Sequence, residues 1–341
     1  MSFNKKIQFI CLLQICLSLT LTGFSQNEDR VRVLFYNVEN LFDTKDDSIT
    51  DDEEFLPNGP RGWNYEKYRD KVNSLSKVIL AAGEWIPPDI IGLCEVENSE
   101  VVGDLLNKTA LSGFNYSMVH KDSPDPRGID VCLVYNEDRV ELLEYDYFMP
   151  YVWKKENYRS REVLHAVLSV YGDTLHLFVG HWPSKRGGVL ATRNRRIELS
   201  DFINYKIDSL AHVYGDDIKV IVMGDFNSAP EDEEMTNFLG GTGRVKLKNL
   251  SASWPIGAGS YKYQGKWEYF DQIIVSENML ESRNGLGTVV EASSVFILES
   301  LLTDDVNYTG KRPFSSWWGY SYHGGYSDHL PVFMDLITTV H

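Results

Sequence analysis

The 341-residue chain is poor in cysteine: it contains four, and two of these lie within the first 25 residues. The other two, Cys94 and Cys132, are too few for the disulfide framework that stabilises many small exported domains. Both lie in apolar stretches typical of β-strands. We therefore expect two buried free thiols, and a bridge between them is the alternative.

Basic residues are also scarce, since 33 Lys and Arg stand against 49 Asp and Glu and give a formal net charge of −16. A chain this acidic does not bind nucleic acid through a diffuse basic surface, because such binding depends on many Lys and Arg contacts to phosphates. Action on phosphates remains open if it takes place at a local site built around a metal cation.

Long apolar runs are confined to the first 25 residues. Lys5 and Lys6 precede a mostly apolar run from Ile7 to Leu21, and the small residues Gly23 and Ser25 follow it. This order of charge, apolar run and small residues predicts a cleaved signal peptide. The alternative, an uncleaved membrane anchor, fits less well because polar residues interrupt an already short run.

The remaining chain, residues 26–341, is predicted to form a single domain. No fixed-period repeat or low-complexity linker divides it, and no stretch is long and apolar enough to span a bilayer. We expect a monomer that is exported to the periplasm or secreted, with no stable membrane insertion after signal cleavage.

Apolar strand-like stretches alternate with helical patterns along this region. Helices are predicted from Asn64 towards the Pro87-Pro88 pair and over residues 189–213. The predicted strands outnumber those of a usual open sheet, which favours a layered α/β fold of two stacked sheets flanked by helices. These strands are Arg32–Tyr36, Asp89–Cys94, Ile129–Tyr135, Val163–Val170, Thr174–Val179, Ile218–Met223, Asp271–Val275 and Leu330–Leu336.

Polar residues stand at the ends of several of these apolar stretches. Unpaired buried carboxylates are costly, so such groups are expected at a rim of the sheets, paired or bound to a metal. An oxygen-rich set of this kind suits Mg²⁺, with Mn²⁺ or Ca²⁺ as alternatives, better than Zn²⁺. The residues concerned are Asn37, Glu95, His181, Asp225, Asn227, Asp271, Asp328 and His329.

Six segments between residues 35 and 332 carry a recognisable pattern: FYNVENLFD, GLCEVEN, GHWPSKRGG, MGDFNSAP, YFDQIIVS and YSDHLPV. In this order they resemble the signature blocks of the endonuclease/exonuclease/phosphatase superfamily, the deoxyribonuclease I-like enzymes. The resemblance implies a four-layer α/β/β/α sandwich, with two stacked mixed β-sheets flanked by helices, and metal-dependent phosphoester hydrolysis. The histidine block is similar to that of the exported bacterial, nuclease-like branch.

The same resemblance implies roles for individual residues around a phosphate and a metal. Asn37 and Glu95 match the residues that hold the divalent cation. Asp225 and Asn227 match the pair that positions the attacking water and the phosphate.

Two acids and two histidines complete the implied site. Asp271 and Asp328 match acids of the active-site network, and His181 and His329 match the catalytic histidines. His329 has two candidate roles, general acid–base catalysis or donation to a phosphate oxygen. We expect Asp271 or Asp328 to accept a hydrogen bond from one ring nitrogen of His329 and so to raise its pKa.

Three basic residues are candidates for substrate binding. Arg127 lies in a predicted turn, and Lys185 and Arg186 lie in the glycine-rich stretch after His181. Ordinary loop charges are the alternative interpretation of all three.

The predicted function is an exported, divalent-metal-dependent phosphodiester hydrolase with nuclease activity of the endonuclease type. Its partner is a phosphodiester substrate, with nucleic acid as the leading class. A phosphatase or a lipid or sugar phosphodiesterase on the same fold is one alternative, and a non-catalytic binding module is another. The intact set of polar strand-end residues argues against the binding module, which has no need of it.

Overall fold

The computed structural model describes residues 30–84, 86–241, 243–255, 257–280 and 285–339. The predicted signal peptide at residues 1–25 lies outside these ranges. Within them, no helix is both long enough and apolar enough to cross a membrane.

Strands dominate the described part of the chain. In chain order they are β1 (Arg30–Leu41), β2 (Ile90–Val96), β3 (Tyr116–His120), β4 (Asp130–Asn136), β5 (Val140–Phe148), β6 (Val163–Val170), β7 (Asp173–His181), β8 (Lys219–Asp225), β9 (Leu247–Asn249), β10 (Tyr261–Tyr263), β11 (Lys266–Glu268), β12 (Asp271–Ser276), β13 (Gly285–Gly287), β14 (Ser293–Val295), β15 (Leu302–Asp304), β16 (Lys311–Pro313), β17 (Trp317–Trp318), β18 (Ser321–Tyr322) and β19 (Val332–Thr339). The α-helices are α1 (Tyr65–Ala82), α2 (Ser99–Asn107), α3 (Tyr151–Lys155), α4 (Val189–Tyr214) and α5 (Glu233–Leu239). Short 3₁₀ turns occupy Glu53–Phe55, Ala110–Gly113, Ser251–Ser253, Glu277–Met279, Val290–Ala292 and Glu299–Leu301.

Two large mixed sheets contain most of these strands. The first sheet has the order β13-β19-β1-β2-β4-β3, with β14 also paired to β19, and the second has the order β5-β6-β7-β8-β12-β9. Each sheet has one parallel pair, β1 with β2 and β7 with β8, and the other pairs are antiparallel. Three two-stranded ribbons, β10-β11, β15-β16 and β17-β18, lie outside them.

Three apolar clusters separate four layers. The middle cluster joins the inner faces of the two sheets and includes Phe35, Leu133, Leu177 and Met223. A second cluster packs α1 and α2 on the first sheet, and a third packs α4 and α5 on the second. The predicted four-layer α/β/β/α sandwich is therefore confirmed.

Local sequence accounts for the boundaries of the helices. Asn64 caps α1, with its side chain accepting a hydrogen bond from the Lys67 N–H, and Asn98 caps α2 in the same way. α1 ends at Ala82, before the prolines, because Gly83 closes the last turn through its N–H to the Ile79 carbonyl. The helix predicted over residues 189–213 is α4, one residue longer.

A hairpin turn at Tyr171 and Gly172 joins β6 to β7. Tyr171 and Gly172 both adopt positive φ values, 51° and 85°, as a type I′ turn requires. Cys94 and Cys132 are buried free thiols, as predicted, and no bridge joins them.

Candidate active site

The predicted residues come together where the two sheets meet at one edge. In the second sheet, the register pairs His181 with Asp225 and Asp225 with Asp271, so three strand ends form one row. In the first sheet, Asn37 lies on β1 and Glu95 on the parallel strand β2. His329 lies just before β19 and forms an isolated bridge with Tyr261.

The strands leave regular geometry where they supply these residues. The β1–β2 register shifts between Asn37 and Leu41, and the β2–β4 register shifts at Glu95. Glu39, Asn40, Glu95 and Asn227 all have positive φ, between 49° and 63°, which costs on the order of 1–3 kcal/mol for each residue that is not glycine. Strain of this kind persists where the surrounding structure enforces it, and it gathers here at one edge of the fold.

The Asn37 side-chain amide joins carboxylates from both sheets. Its Nδ2 donates to Glu95 Oε1 at 3.3 Å and to Asp225 Oδ2 at 3.1 Å. Its carbonyl oxygen accepts the Glu39 N–H at 3.0 Å, so ligation of a metal through that oxygen requires the amide to rotate. Glu95 also accepts the Asn40 N–H at 3.0 Å. The predicted ligands Asn37 and Glu95 are therefore adjacent, and their role as metal ligands stays a prediction.

Asp225 and Asn227 form a turn at the end of β8. Asp225 Oδ1 accepts the Asn227 N–H at 2.9 Å, and the Asn227 side chain donates to the Trp182 carbonyl at 3.1 Å. The second Asp225 oxygen lies 3.6 Å from His181 Nε2 and 3.9 Å from His329 Nε2. Asp225 is thus the carboxylate that both histidines approach.

His329 is oriented by Asp271, one of the two acids predicted to do so. Its Nδ1 lies 2.6 Å from Asp271 Oδ2, and both residues are buried. Burial on its own lowers the pKa of His329, but the charge and hydrogen bond of Asp271, with Asp225 and Asp328 nearby, raise it well above its ordinary value. His329 is therefore an imidazolium at neutral pH, with Nε2 directed towards Asp225.

His181 has the opposite electrostatic character. Burial lowers its pKa well below the ordinary value, and the positive charges of Arg161, Arg127 and His329 act in the same direction. Its Nδ1 is buried without a hydrogen-bond partner among the described residues. The site thus combines a neutral imidazole and a charged one at neutral pH.

Two carboxyl groups at the site have raised pKa values. Burial and the charge of Asp271 raise the pKa of Asp225 to about 6, although His329 opposes the shift. Burial and the charge of Glu39 raise the pKa of Asp328 to about 7, again opposed by His329. Burial is the larger cause of both shifts, because it penalises the charged form of each group, and neighbouring carboxylates add to it.

This donor set fits a hard divalent cation. Glu95, Asp225 and Asp328 all line one cleft of about 540 Å³, and a bound dication would relieve their mutual repulsion. Asp225, Asp271 and His329 also offer ligand atoms within 4.8 Å of one another. The hydrogen bond between Asp271 and His329 already occupies two of these groups, which leaves Glu95 as a ligand, joined by Asn37 if its amide rotates.

The three predicted substrate-binding residues line the same cleft, but two of them are engaged with acids. Arg127 makes a two-pronged ion pair with Asp125 at 3.1 and 3.2 Å. Lys185 donates to Asp232 at 2.8 Å. Arg186 is exposed, and its side chain has no ion pair recorded within the described residues.

Several contributors to the site carry no signal in the sequence. The Tyr261 ring stacks on His329 with centroids 4.6 Å apart. Buried Arg161 bonds Asp125 at 2.9 Å and the Trp182 carbonyl at 2.7 Å, which places its charge behind His181. Both residues act through contacts distant in sequence, which only the fold reveals. The nearest signal in the sequence was the predicted turn that contains Arg127.

The aromatic residues that precede the last strand have mainly a packing role. Trp317 packs on Trp63 with centroids 5.5 Å apart, and Tyr322 packs on both rings. This cluster belongs to the core beside α1.

Comparison with known proteins agrees with this geometry. A family model described as "Endonuclease/Exonuclease/phosphatase family" matches residues 32–338. The chain belongs to this family. No curated protein is significantly similar to the chain in sequence.

Solved structures of other family members share the fold at low sequence identity. A family protein from Bacteroides thetaiotaomicron is 13% identical with a TM-score of 0.58, over 91% of this chain and 96% of that one. The mannosyl-6-phosphatase Bt3783 of the same organism is 14% identical with a TM-score of 0.54, over 90% and 99%. D. rerio TDP2 complexed with single-strand DNA product is 16% identical with a TM-score of 0.55, over 91% and 99%.

Proposed function

We propose that this family member is an exported, divalent-metal-dependent phosphodiester hydrolase with nuclease activity. The observation that carries the proposal is the pairing of a neutral His181 and a charged His329 on either side of Asp225. Cleavage of a diester needs an activated water and a proton for the leaving oxygen, and this site holds both kinds of group.

Each side chain then has one task in the reaction. A cation held by Glu95 and Asn37 would supply charge neutralisation at a non-bridging phosphate oxygen. Asp225 accepts a proton from the attacking water, and the Asn227 amide orients it. His329 Nε2 donates its proton to an oxygen of the phosphate or of the leaving group, and Asp271 keeps Nδ1 protonated.

His181 serves as a neutral donor or acceptor beside the same phosphate. Its Nε2 lies 3.6 Å from Asp225 Oδ2 and 4.0 Å from Glu95 Oε1. Because its pKa is low, it hydrogen-bonds to substrate without adding charge.

The substrate class is the finer part of the proposal. The relatives include a protein solved with a single-strand DNA product and a mannosyl-6-phosphatase, so the fold accommodates diesters and monoesters. Two histidines in a nuclease-like block favour diesters here. The acidic chain favours contacts to few phosphates, assisted by a cation, over an extended nucleic-acid surface.

A substrate panel tests this proposal. Purified protein with Mg²⁺ would be given plasmid DNA, RNA, bis-p-nitrophenyl phosphate and p-nitrophenyl phosphate. We expect faster turnover of the bis ester than of the monoester, together with nicking of the plasmid. Faster turnover of the monoester would instead establish the phosphatase alternative, and no turnover of any substrate would leave the binding module.

A further inference from the structure

Lys71 on α1 is a buried lysine that contacts the segment before β19 and the end of β1. Its side chain is fully buried, and its ammonium donates to Ser316 Oγ at 2.6 Å and to the Tyr326 carbonyl at 2.8 Å. It lies 3.6 Å from Glu39 Oε2. A buried ammonium is tolerated only when it is paired and hydrogen-bonded, and Lys71 meets both conditions.

Glu39 is the partner that ties Lys71 to the strained turn of β1. Its carboxylate accepts hydrogen bonds from the Ser315 hydroxyl, from the Ser316 N–H at 2.6 Å and from the Trp317 N–H at 3.3 Å. The pair therefore holds residues 315–317 on one side through Glu39. On the other side it holds Tyr326 through Lys71.

The segment held in this way carries Asp328 and His329. Residues 324–331 contain no helix or paired strand beyond one isolated bridge, so individual hydrogen bonds fix them in place of a strand ladder. Ser327 Oγ donates to the Asn37 carbonyl at 2.7 Å, and the Leu330 N–H donates to the Ser260 carbonyl at 2.7 Å. Two contacts involve charged side chains: that of Lys71 with the Tyr326 carbonyl, two residues before Asp328, and that of His329 with Asp271.

We propose that Lys71 and Glu39 are positioning residues that hold the segment 324–331 so that Asp328 and His329 face the cleft. Neither residue lines the cleft, so both act through the segment and not on the substrate. The effect on rate rests on the proposed function. A displacement of about 1 Å in a catalytic group can cost about 10²-fold in rate.

Three variants isolate this role. Lys71→Met removes the charge and keeps an unbranched side chain that is one atom shorter. Lys71→Met combined with Glu39→Gln removes both charges, so that no uncompensated carboxylate remains if the single variant fails to fold. Lys67→Met is the matched control, because Lys67 lies one turn earlier on α1 and also donates to two carbonyls, those of Arg61 and Gly62.

Hydrogen exchange measures positioning without any need for activity. We expect amide exchange in residues 324–331 to rise by about tenfold or more in both Lys71 variants. We expect no change in β6, and no change in 324–331 for Lys67→Met. Unchanged exchange in a folded Lys71 variant would overturn the proposal.

Kinetics supply the second readout. With bis-p-nitrophenyl phosphate, Lys71→Met should lower kcat by about 10- to 100-fold and change KM little, because substrate contacts remain. In a His329→Ala background the same substitution should have almost no further effect on kcat. Full additivity would contradict action through the segment. If the wild-type protein hydrolyses no phosphoester, the proposed function fails, and the exchange measurement still decides the positioning role.

Discussion

His329 Nδ1 and Asp271 Oδ2 lie 2.6 Å apart in the interior of the site, and this contact sets both the tautomer and the charge of the ring. Asp271→Asn removes the negative charge, so the pKa of His329 should fall from its raised value towards about 6.5. Activity that depends on protonated His329 should then decline at lower pH than in wild type. The measurement is the pH dependence of kcat.

The control for this substitution is Asp122→Asn. Asp122 also faces a histidine, His120, at 3.8 Å, but its side chain is 83% exposed. The pH dependence of kcat for Asp122→Asn should match that of wild type. Identical profiles for Asp271→Asn and wild type would show that Asp271 does not control the protonation of His329.

The two histidines should be separately essential and jointly non-additive. His329→Ala should lose about 10²–10⁴-fold in kcat, the usual range for general acid–base catalysis. His181→Ala should lose a comparable factor, and the double variant should lose less than the product of the two, because both act on one transition state.

Exposed His212 on α4 provides the control for this series, since His212→Ala removes an imidazole far from Asp225. Circular dichroism would verify that each variant is folded. A folded His329→Ala protein with wild-type kcat would make the Asp–His pair a structural feature only.

Much of this site could be predicted from the sequence, because the signals for it lie in short stretches of neighbouring residues. Asn37, Glu95, His181 and Asp225 each end an apolar stretch, and strand ends on one sheet edge meet in layered folds. The same segments carry the family resemblance, and that resemblance implied the four-layer fold.

The remainder depends on contacts that are distant in the sequence. Lys71 bonds the carbonyl of Tyr326, 255 residues away; its spacing from Tyr68 and Leu75 places it on the apolar face of α1, but the sequence does not show which groups pair with it there. β3, β5 and α2 were not predicted, and β1 extends to Leu41 because a bulge carries it past the predicted end at Tyr36. The different protonation of the two histidines arises from burial and neighbours, which only the fold specifies.

The stability that Asp225, Asp328 and His329 contribute without a divalent cation should fall as pH rises from about 5 to about 8. The folded pKa values of Asp225 and Asp328, about 6 and about 7, exceed their unfolded values, and that of His329 is also raised. The folded state therefore binds more protons in this window and loses stability as they dissociate. Mg²⁺ should restore stability most at the alkaline end.

Thermal unfolding between pH 5 and pH 8, in EDTA and in Mg²⁺, measures this effect. The Asp328→Asn variant should flatten the pH dependence in EDTA, by an amount on the order of 1–3 kcal/mol. Equal pH dependence of stability for Asp328→Asn and wild type in EDTA would contradict the raised pKa of Asp328.

Export is a separate prediction. The exported form should begin near Gln26, because the charged, apolar and small residues before it are in the order that signal peptidases require. Mass spectrometry of protein from the periplasm or medium is the measurement. An intact Met1 in that fraction would contradict cleavage.

Metal dependence tests the account most directly. The measurement is hydrolysis of bis-p-nitrophenyl phosphate by wild type and Glu95→Gln, with Mg²⁺ and after EDTA. The control is Glu100→Gln, because Glu100 is an exposed glutamate that follows the same strand in the sequence. Wild type and Glu100→Gln should hydrolyse the diester only with Mg²⁺, and Glu95→Gln should be slower by about 10²-fold or more while folded. Hydrolysis that is undiminished by EDTA, or a fully active Glu95→Gln protein, would contradict a metal-dependent phosphodiesterase at this site.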